Sequence, residues 1–170
     1  AGGDPAFASS VAEGYSNIGS FLAEAADFDG AERAYRSAVS QYERLPAGGR
    51  PLQVRRGFAF ALKRLGAVLL RAERYEESER RYLEALRLDE ENLREDDRPQ
   101  TRYDITFTLS DLALVQSRQR RWTEAVTLWE RALALRQAAV DADPKNMRPL
   151  SGVGVLHGRL GMASRQMGDL

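Results

Sequence analysis

Apolar and small residues recur at spacings of three and four along most of the chain, which is the pattern of helices with one buried face. Four prolines, Pro5, Pro51, Pro99 and Pro149, each stand at the start of a long helical stretch. Proline suits the first helical position, because its missing N–H is not needed there. The pattern predicts seven helices, at residues 5–26, 31–45, 51–73, 76–93, 99–119, 123–141 and 149–167.

The pattern repeats at intervals of 47 to 48 residues. One column holds small residues, namely Gly19, Gly66, Ala113 and Gly161. Two columns hold aromatic residues, namely Phe28, Tyr75 and Trp122, and then Tyr35, Tyr82 and Trp129. Short turns within each unit and longer connections between units, at 46–50 and around Asp143-Pro144, predict antiparallel helical hairpins. We therefore expect a single array over 1–170, with repeats at about 5–45, 51–93 and 99–141 and half a repeat at about 149–170.

The columns predict how the helices pack. The small residues are expected where the two helices of a hairpin approach closely, opposite Ala31, Ser78 and Ala125. The first aromatic column is expected to fill the hairpin turn, and the second the space between one hairpin and the next. Stacking is required because no hairpin can bury both of its faces alone. On this basis Gly66→Leu is expected to destabilise the fold strongly, whereas Gly66→Ala is expected to be mild.

Composition supports an all-α fold and argues against an enzyme. The 24 Ala and 21 Leu residues favour helices, whereas Val, Ile and Thr, which favour strands, number only 16 together. The chain has no Cys and one His, which excludes disulfides, thiolate chemistry and sites with several His ligands. We find no nucleophile–base pair, and we expect no catalytic residue, no cofactor and no metal.

Other chemical candidates have structural explanations. His157 falls in an apolar packing column, which indicates a core residue rather than a ligand. Trp122 and Trp129 are likewise expected in the core. The acidic residues at 89–91 and 95–97 lack the spacing of a calcium loop and are expected to be solvated helix ends. The arginines at 118, 120 and 121 are not accompanied by a nucleic-acid motif.

The order of small and aromatic columns resembles the tetratricopeptide repeat. The first copy reads Tyr15, Ile18, Gly19, Leu22, Phe28, Ala31, Tyr35, Ala38. The second reads Leu62, Leu65, Gly66, Leu69, Tyr75, Ser78, Tyr82, Ala85, and the third reads Leu109, Leu112, Ala113, Gln116, Trp122, Ala125, Trp129, Ala132. A fourth begins with His157, Leu160, Gly161, Ser164. The period exceeds the usual length of about 34 residues, and in this the chain resembles extended variants in bacterial regulators and kinesin light chains.

The resemblance implies a right-handed superhelix, an α-solenoid, whose first helices line a concave groove for a protein or peptide. The residues that it places in this groove are Asn17, Ser20, Phe60, Lys63, Arg64, Arg71, Phe107, Asp111, Arg118 and Arg159. It also turns toward the groove Glu13, Ser16, Glu24, Ala67, Ser110, Leu114, Val155, Met162 and Arg165. Basic residues outnumber acidic ones on this surface, although the whole chain carries 25 of each sign. Arginine suits carboxylate recognition, so the expected partner is an acidic peptide.

Three functions remain open at this point. The first is a protein-binding scaffold, as one segment of a larger protein. The second is self-association through the open half repeat at the C-terminus, which would make a homo-oligomer. The third is a regulatory array attached to a bacterial enzyme such as a kinase or a transcription regulator. The sequence lacks a membrane span and a signal peptide, so we expect a cytoplasmic location, no membrane contact and no nucleic-acid partner.

Overall fold

A computed structural model describes residues 5–46, 50–142 and 147–168, with the backbone alone at 5–6 and 147–151. These residues form seven helices and no strand. The helices are α1 (Pro5–Glu24), α2 (Phe28–Glu43), α3 (Leu52–Arg71), α4 (Tyr75–Glu95), α5 (Pro99–Arg118), α6 (Trp122–Ala142) and α7 (Met147–Met167). The predicted all-α class and all seven predicted helices are confirmed. The connections predicted at 46–50 and around Asp143-Pro144 lie mostly outside the described residues.

The helices divide into two compact units. The N-terminal unit, Ala1–Asn92, contains α1 to α3 and most of α4, and the C-terminal unit, Leu93–Leu170, contains α5 to α7. The sequence predicted one array over the same residues. Turns of three residues join α1 to α2, α3 to α4 and α5 to α6, so that each of these pairs is a hairpin with antiparallel helices.

The three hairpin turns share one backbone geometry. Ala26, Glu73 and Arg120 have φ angles of 62°, 59° and 61°, in the left-handed region. In the first turn, the Asp27 N–H donates to the Leu22 carbonyl at 2.9 Å and the Ala26 N–H donates to the Ala23 carbonyl at 3.1 Å. The same pair of bonds, with the same two lengths, closes the turns at Glu73 and Arg120. Each first helix therefore ends in a Schellman motif.

The turns also correct the predicted beginnings of the second helices. Phe28, Tyr75 and Trp122 were expected within the turns, but each is the first residue of its helix. In the first hairpin, the Asp27 carboxylate accepts a hydrogen bond from the Gly30 N–H at 2.8 Å and caps α2. The second helices begin earlier than predicted because the Schellman motif passes the chain directly into the next N-cap.

Ala26→Gly is expected to stabilise the protein by up to about 1 kcal/mol. A non-glycine residue in the left-handed region costs about 1–2 kcal/mol, and glycine removes this cost while adding entropy to the unfolded chain. The free energy of unfolding in urea measures the effect. Ala25→Gly, one residue earlier and without a positive φ, is the control and should lose stability. Equal losses in the two variants would contradict the turn geometry.

The second aromatic column packs on the first helix of its own hairpin. A Cβ atom at Gly19 would lie 2.7 Å from the Tyr35 ring, and one at Gly66 would lie 2.8 Å from the Tyr82 ring. In the C-terminal unit, the Trp129 indole N–H donates to the Ser110 carbonyl of α5 at 3.2 Å. These rings were predicted to fill the space between hairpins, and the structure corrects this: glycine opens a slot within the hairpin that the ring occupies.

The close approach predicted between the two helices of a hairpin is present in α3 and α4. The Ser78 hydroxyl donates to the Gly66 carbonyl at 2.7 Å, and Ala31 and Ala125, in the same column as Ser78, are fully buried. Gly161 differs, since nothing described lies within 4 Å of a Cβ placed there. The small residue at 161 therefore makes no close helix contact, because α7 has no second helix packed on that side within the described residues.

Two kinds of contact join the hairpins of the N-terminal unit. Tyr42 of α2 stacks on Phe58 of α3, with ring centroids 5.4 Å apart. In addition, Arg36 of α2 contacts Glu77 of α4 at 3.0 Å, while Arg74 of the turn before α4 contacts Glu32 of α2 at 2.7 Å. Apolar packing and crossed ion pairs thus hold neighbouring hairpins side by side.

Candidate binding site

The C-terminal unit contains a pocket of about 500 Å³. Helix α5 contributes Leu114, Ser117 and Arg118 to its wall. Helix α6 contributes Trp122 and Trp129. Helix α7 contributes Arg159, Met162, Arg165 and Gln166.

Helical periodicity explains why these residues share the pocket. Residues three, four or seven positions apart lie on one face of a helix, and the spacings within each wall follow this rule. Trp122 and Trp129, for example, are seven residues apart on α6. Trp129 is only 2% exposed, whereas Trp122 is half-buried and Met162 is exposed. The pocket thus has a buried aromatic floor and an open, partly apolar mouth.

Three arginines border the pocket, and one of them is fixed in place. The Arg159 Nη1 group donates to the Ser110 carbonyl at 3.1 Å and to the Ser110 hydroxyl at 2.6 Å. The same carbonyl accepts the indole N–H of Trp129. Arg118 and Arg165 are exposed, and among the described residues none of the three arginines makes a salt bridge. The site therefore has a positive charge that these residues do not neutralise.

A fourth arginine, Arg136, lies buried close to this site. It is 6% exposed, and its guanidinium lies 5.4 Å from the Tyr103 ring centroid and 5.0 Å from that of Phe107. Burial lowers the pKa of Arg136, and the nearby charge of Arg159 acts in the same direction. A Cβ at Gly152 would overlap the guanidinium, so glycine is needed where α7 passes it. Arg136 therefore packs the three helices together, and it contacts the predicted groove residue Phe107, which is still 42% exposed.

The predicted basic groove residues of the N-terminal unit are engaged within that unit. The Lys63 ammonium contacts the Asp89 carboxylate at 3.2 Å. The Arg64 guanidinium lies 5.0 Å from the Phe60 ring centroid, and that of Arg71 lies 3.9 Å from the centroid of Phe28. Lys63 and Arg71 are thus directed to partners on neighbouring helices.

The remaining predicted residues differ in accessibility. Asn17 is exposed on α1, and the Ser20 hydroxyl is hydrogen-bonded to the Ser16 carbonyl and lies 3.1 Å from the Tyr35 hydroxyl. Asp111 is half-buried on α5. Among the ten predicted groove residues, the pocket brings together Arg118 and Arg159, which are 41 residues apart in the sequence.

Sequence reasoning missed the role of the two tryptophans, which were expected in the core alone. Trp129 is buried as predicted, but it also forms the floor of the pocket, and half-buried Trp122 lies beside it. The seven-residue spacing on one helix was the available signal. Leu114, Met162 and Arg165, which the resemblance turned toward the groove, do line the pocket.

Two of the other chemical interpretations are corrected. His157 is exposed rather than buried, and its neighbour Leu156 occupies the core instead. The acidic residues near the end of α4 are not all solvated: Asp89 is 3% exposed and paired with Lys63. Asp96 accepts two hydrogen bonds of 2.7 Å from Arg98. Local charge pairing therefore explains these residues.

Two searches of the described residues gave negative results. Across 5–46, 50–142 and 147–168, no group of three or more His, Asp or Glu side chains is arranged to hold a metal ion. Within the same ranges, none of the helices has the length and apolar character needed to cross a membrane.

Residues 108–144 match a family profile described as "Tetratricopeptide repeat". This chain contains a tetratricopeptide repeat. The match covers most of the third predicted repeat, including the end of α5, the Schellman turn and α6. It supplies Leu114, Ser117, Arg118, Trp122 and Trp129 to the pocket. Tetratricopeptide repeats are scaffolds for protein interaction, and the matched segment supplies five of the nine residues that line the pocket.

A solved structure of another protein shares the fold. The structure described as BtubC (BKLC) from P. vanneervenii superposes with a TM-score of 0.68 at 20% sequence identity, over 96% of this chain and 58% of that one. The chain thus spans less than two thirds of that protein. The MamA protein is 18% identical over 93% of this chain and 87% of its own, with a TM-score of 0.38. Among curated proteins, no sequence matches this chain.

Proposed function

We propose that the protein is a non-enzymatic scaffold that binds a peptide segment of another protein through the pocket between α5, α6 and α7. The observation that best supports this proposal is the combination of an apolar floor with three arginines that make no salt bridge among the described residues. A few charged groups around an apolar pocket are the usual composition of a ligand site.

The charges favour an acidic partner. Arg118, Arg159 and Arg165 border the same pocket, and no carboxylate residue lines it. Guanidinium groups bind carboxylates in bidentate geometry, and their combined field attracts acidic segments before contact. A basic peptide would be repelled at the same place. The N-terminal unit contributes less to this preference, because the Lys63 ammonium is already paired with the Asp89 carboxylate there.

Binding of short peptides to the full chain tests this proposal. A labelled peptide with an aromatic residue between acidic residues is expected to bind, as measured by fluorescence anisotropy. The same peptide with lysine in place of each acidic residue is not expected to bind. Affinity should fall as salt rises, because charges at exposed sites are screened beyond about 8 Å at physiological ionic strength. Equal binding of the acidic and basic peptides would contradict the proposal.

Charge reversal locates the binding site. The double variant Arg118→Glu with Arg165→Glu is expected to bind the acidic peptide at least about tenfold more weakly, because two attractive charges become repulsive. The melting temperature should hardly change, since both side chains are exposed. Arg33→Glu with Arg80→Glu is the matched control: these arginines are also exposed, and neither lines the pocket. Similar losses in both double variants would indicate a general charge effect.

A second candidate is self-association through α7. Gly161 has open space where Gly19 and Gly66 contact a tyrosine ring, and nearby Val155 is exposed on the same helix. A helix from another copy could cover this side of α7. Light scattering over a range of concentrations separates the two functions, because a peptide scaffold of this kind stays monomeric.

A further inference from the structure

We infer that the exposed side of α1 is a docking surface for an amphipathic helix of a different protein, with an apolar face and basic residues along its edge. This surface belongs to the N-terminal unit, whereas the pocket belongs to the C-terminal unit. The inference goes beyond the proposed function, because the second contact does not depend on the acidic peptide and requires a partner of the opposite charge.

A row of apolar and small residues runs along the exposed side of α1 at alternating spacings of four and three. Residues at these spacings share one helix face, and a second helix can pack along them. We call this set the α1 row: Phe7, Val11, Gly14, Ile18 and Phe21. Phe7, Ile18 and Phe21 are 69%, 52% and 71% exposed, and nothing described lies within 4 Å of a Cβ at Gly14. Contiguous exposed apolar surface of this kind marks interaction sites.

The internal repeat indicates what kind of element covers such a row. A shift of 47 residues places the α1 row on α3, at Val54, Phe58, Ala61, Leu65 and Val68. The last four of these are buried. Phe58 stacks on Tyr42 of α2, the second helix of the preceding hairpin, which packs against α3. The α1 row is therefore equivalent to a surface that receives a helix, and no described helix covers it.

The charges beside the row favour a basic partner. Glu13 and Glu24 are exposed and make no salt bridge among the described residues. Helix α1 contains no basic residue, and on α3 the equivalent of Glu24 is Arg71. Complementary charges steer the correct partner and repel the wrong one. We therefore expect Lys or Arg beside the apolar face of the docking helix.

A second copy of this chain fits the surface less well than a different protein does. Two α1 helices facing each other would bring the carboxylates of Glu13 and Glu24 from both copies together, and like charges across an interface repel. Within their own units, the second helices α2 and α6 already pack on α3 and α7. The charges and the packing of these helices therefore favour a helix from outside the chain.

A dye on a single introduced cysteine can test the docking, because the chain has no Cys of its own. Asn17→Cys places the dye on α1 beside Ile18, and Gln137→Cys on α6 is the matched control, since both amides are exposed. The probe is an acetylated and amidated helix-forming peptide of about 18 residues, long enough for a row that extends about 21 Å. It has Leu at spacings of four and three, with Lys beside them. We expect a saturable change in emission at position 17 and none at position 137.

Two further peptides separate charge from helical shape. One has Glu in place of each Lys, and the other has the original composition in an order without an apolar face. The Lys helix is expected to bind at least about tenfold tighter than either. Equal binding of the Lys and Glu helices would overturn the basic partner, and equal binding of the reordered peptide would overturn docking as a helix.

These outcomes are independent of the proposed function. Peptides much shorter than about 12–15 residues hardly form helices in water, so the short peptides that test the pocket do not test the α1 row. If none of the long peptides changes the emission at position 17, the docking surface is overturned and the pocket for an acidic peptide still stands. If the short acidic peptides fail instead, the proposed function is overturned and the docking surface still stands.

A matched pair of variants places the contact on the α1 row. Phe21 and Leu83 are both exposed, at 71% and 48%, but only Phe21 belongs to the row. Phe21→Ser is expected to weaken binding of the Lys helix about tenfold with the melting temperature nearly unchanged, while Leu83→Ser alters neither. Equal losses in the two variants would overturn the site. Light scattering of the parent chain adds a further outcome: self-association that Phe21→Ser abolishes would show that a second copy, and not a different protein, covers the row.

Discussion

Gly66→Ala is expected to destabilise the N-terminal unit by about 1–3 kcal/mol, the usual cost of overpacking a filled core. A Cβ at this position would lie 2.8 Å from the Tyr82 ring, and Tyr82 is 1% exposed and has no room to retreat. The Ser78 hydroxyl, bound to the Gly66 carbonyl at 2.7 Å, holds the two helices at this separation. Gly66→Leu should cost more. Chemical denaturation measures both, and a Gly66→Ala variant as stable as the parent would contradict the ring-on-glycine contact.

Gly161→Ala provides the control, because it changes the same column without a neighbouring ring. Nothing described lies within 4 Å of a Cβ at 161, so the substitution is expected to stabilise α7 by about 0.5–1 kcal/mol through helix propensity. The sequence alone predicted a mild effect for Gly66→Ala. That expectation is revised because Tyr82 fills the slot within the hairpin.

Trp129→Ala is expected to cost the C-terminal unit about 3–5 kcal/mol, as is typical when a buried aromatic side chain is truncated. Trp129 is 2% exposed, and its indole N–H donates to the Ser110 carbonyl, which also accepts Arg159. Removing the indole leaves a cavity under the pocket and takes one donor from this carbonyl. Thermal unfolding followed by circular dichroism measures the loss.

Trp122→Ala is the matched control for this variant. Trp122 lines the same pocket but is half-buried, so its truncation removes less buried surface and should cost clearly less stability. The Trp122→Ala variant should nevertheless bind an aromatic peptide more weakly than the parent protein does. Equal losses of stability for the two tryptophans would contradict the assignment of Trp129 as floor and Trp122 as wall.

The helices and their hairpin pairing followed from the sequence because both depend on local spacing. Residues three and four apart share a helix face, so apolar periodicity located all seven helices. The left-handed residues of the turns were not predicted. Ala26, Glu73 and Arg120 occupy a position that glycine usually fills, and their side chains carry no signal for it. The hydrogen bonds of the Schellman motif, formed by the backbone, select that conformation.

For the candidate site, the sequence by itself determined which residues of one helix share a face. The resemblance to tetratricopeptide repeats placed Leu114, Met162 and Arg165 on the same side as Arg118 and Arg159. Tertiary structure alone decided which partners the charged side chains contact. Lys63 pairs with Asp89, 26 residues away, and Arg159 binds Ser110, 49 residues away. The tertiary structure also decided that Gly161 and His157 are exposed rather than packed against another helix. Periodicity within one helix fixes the direction of a side chain relative to that helix, whereas its partners depend on side chains that other helices bring to the same place.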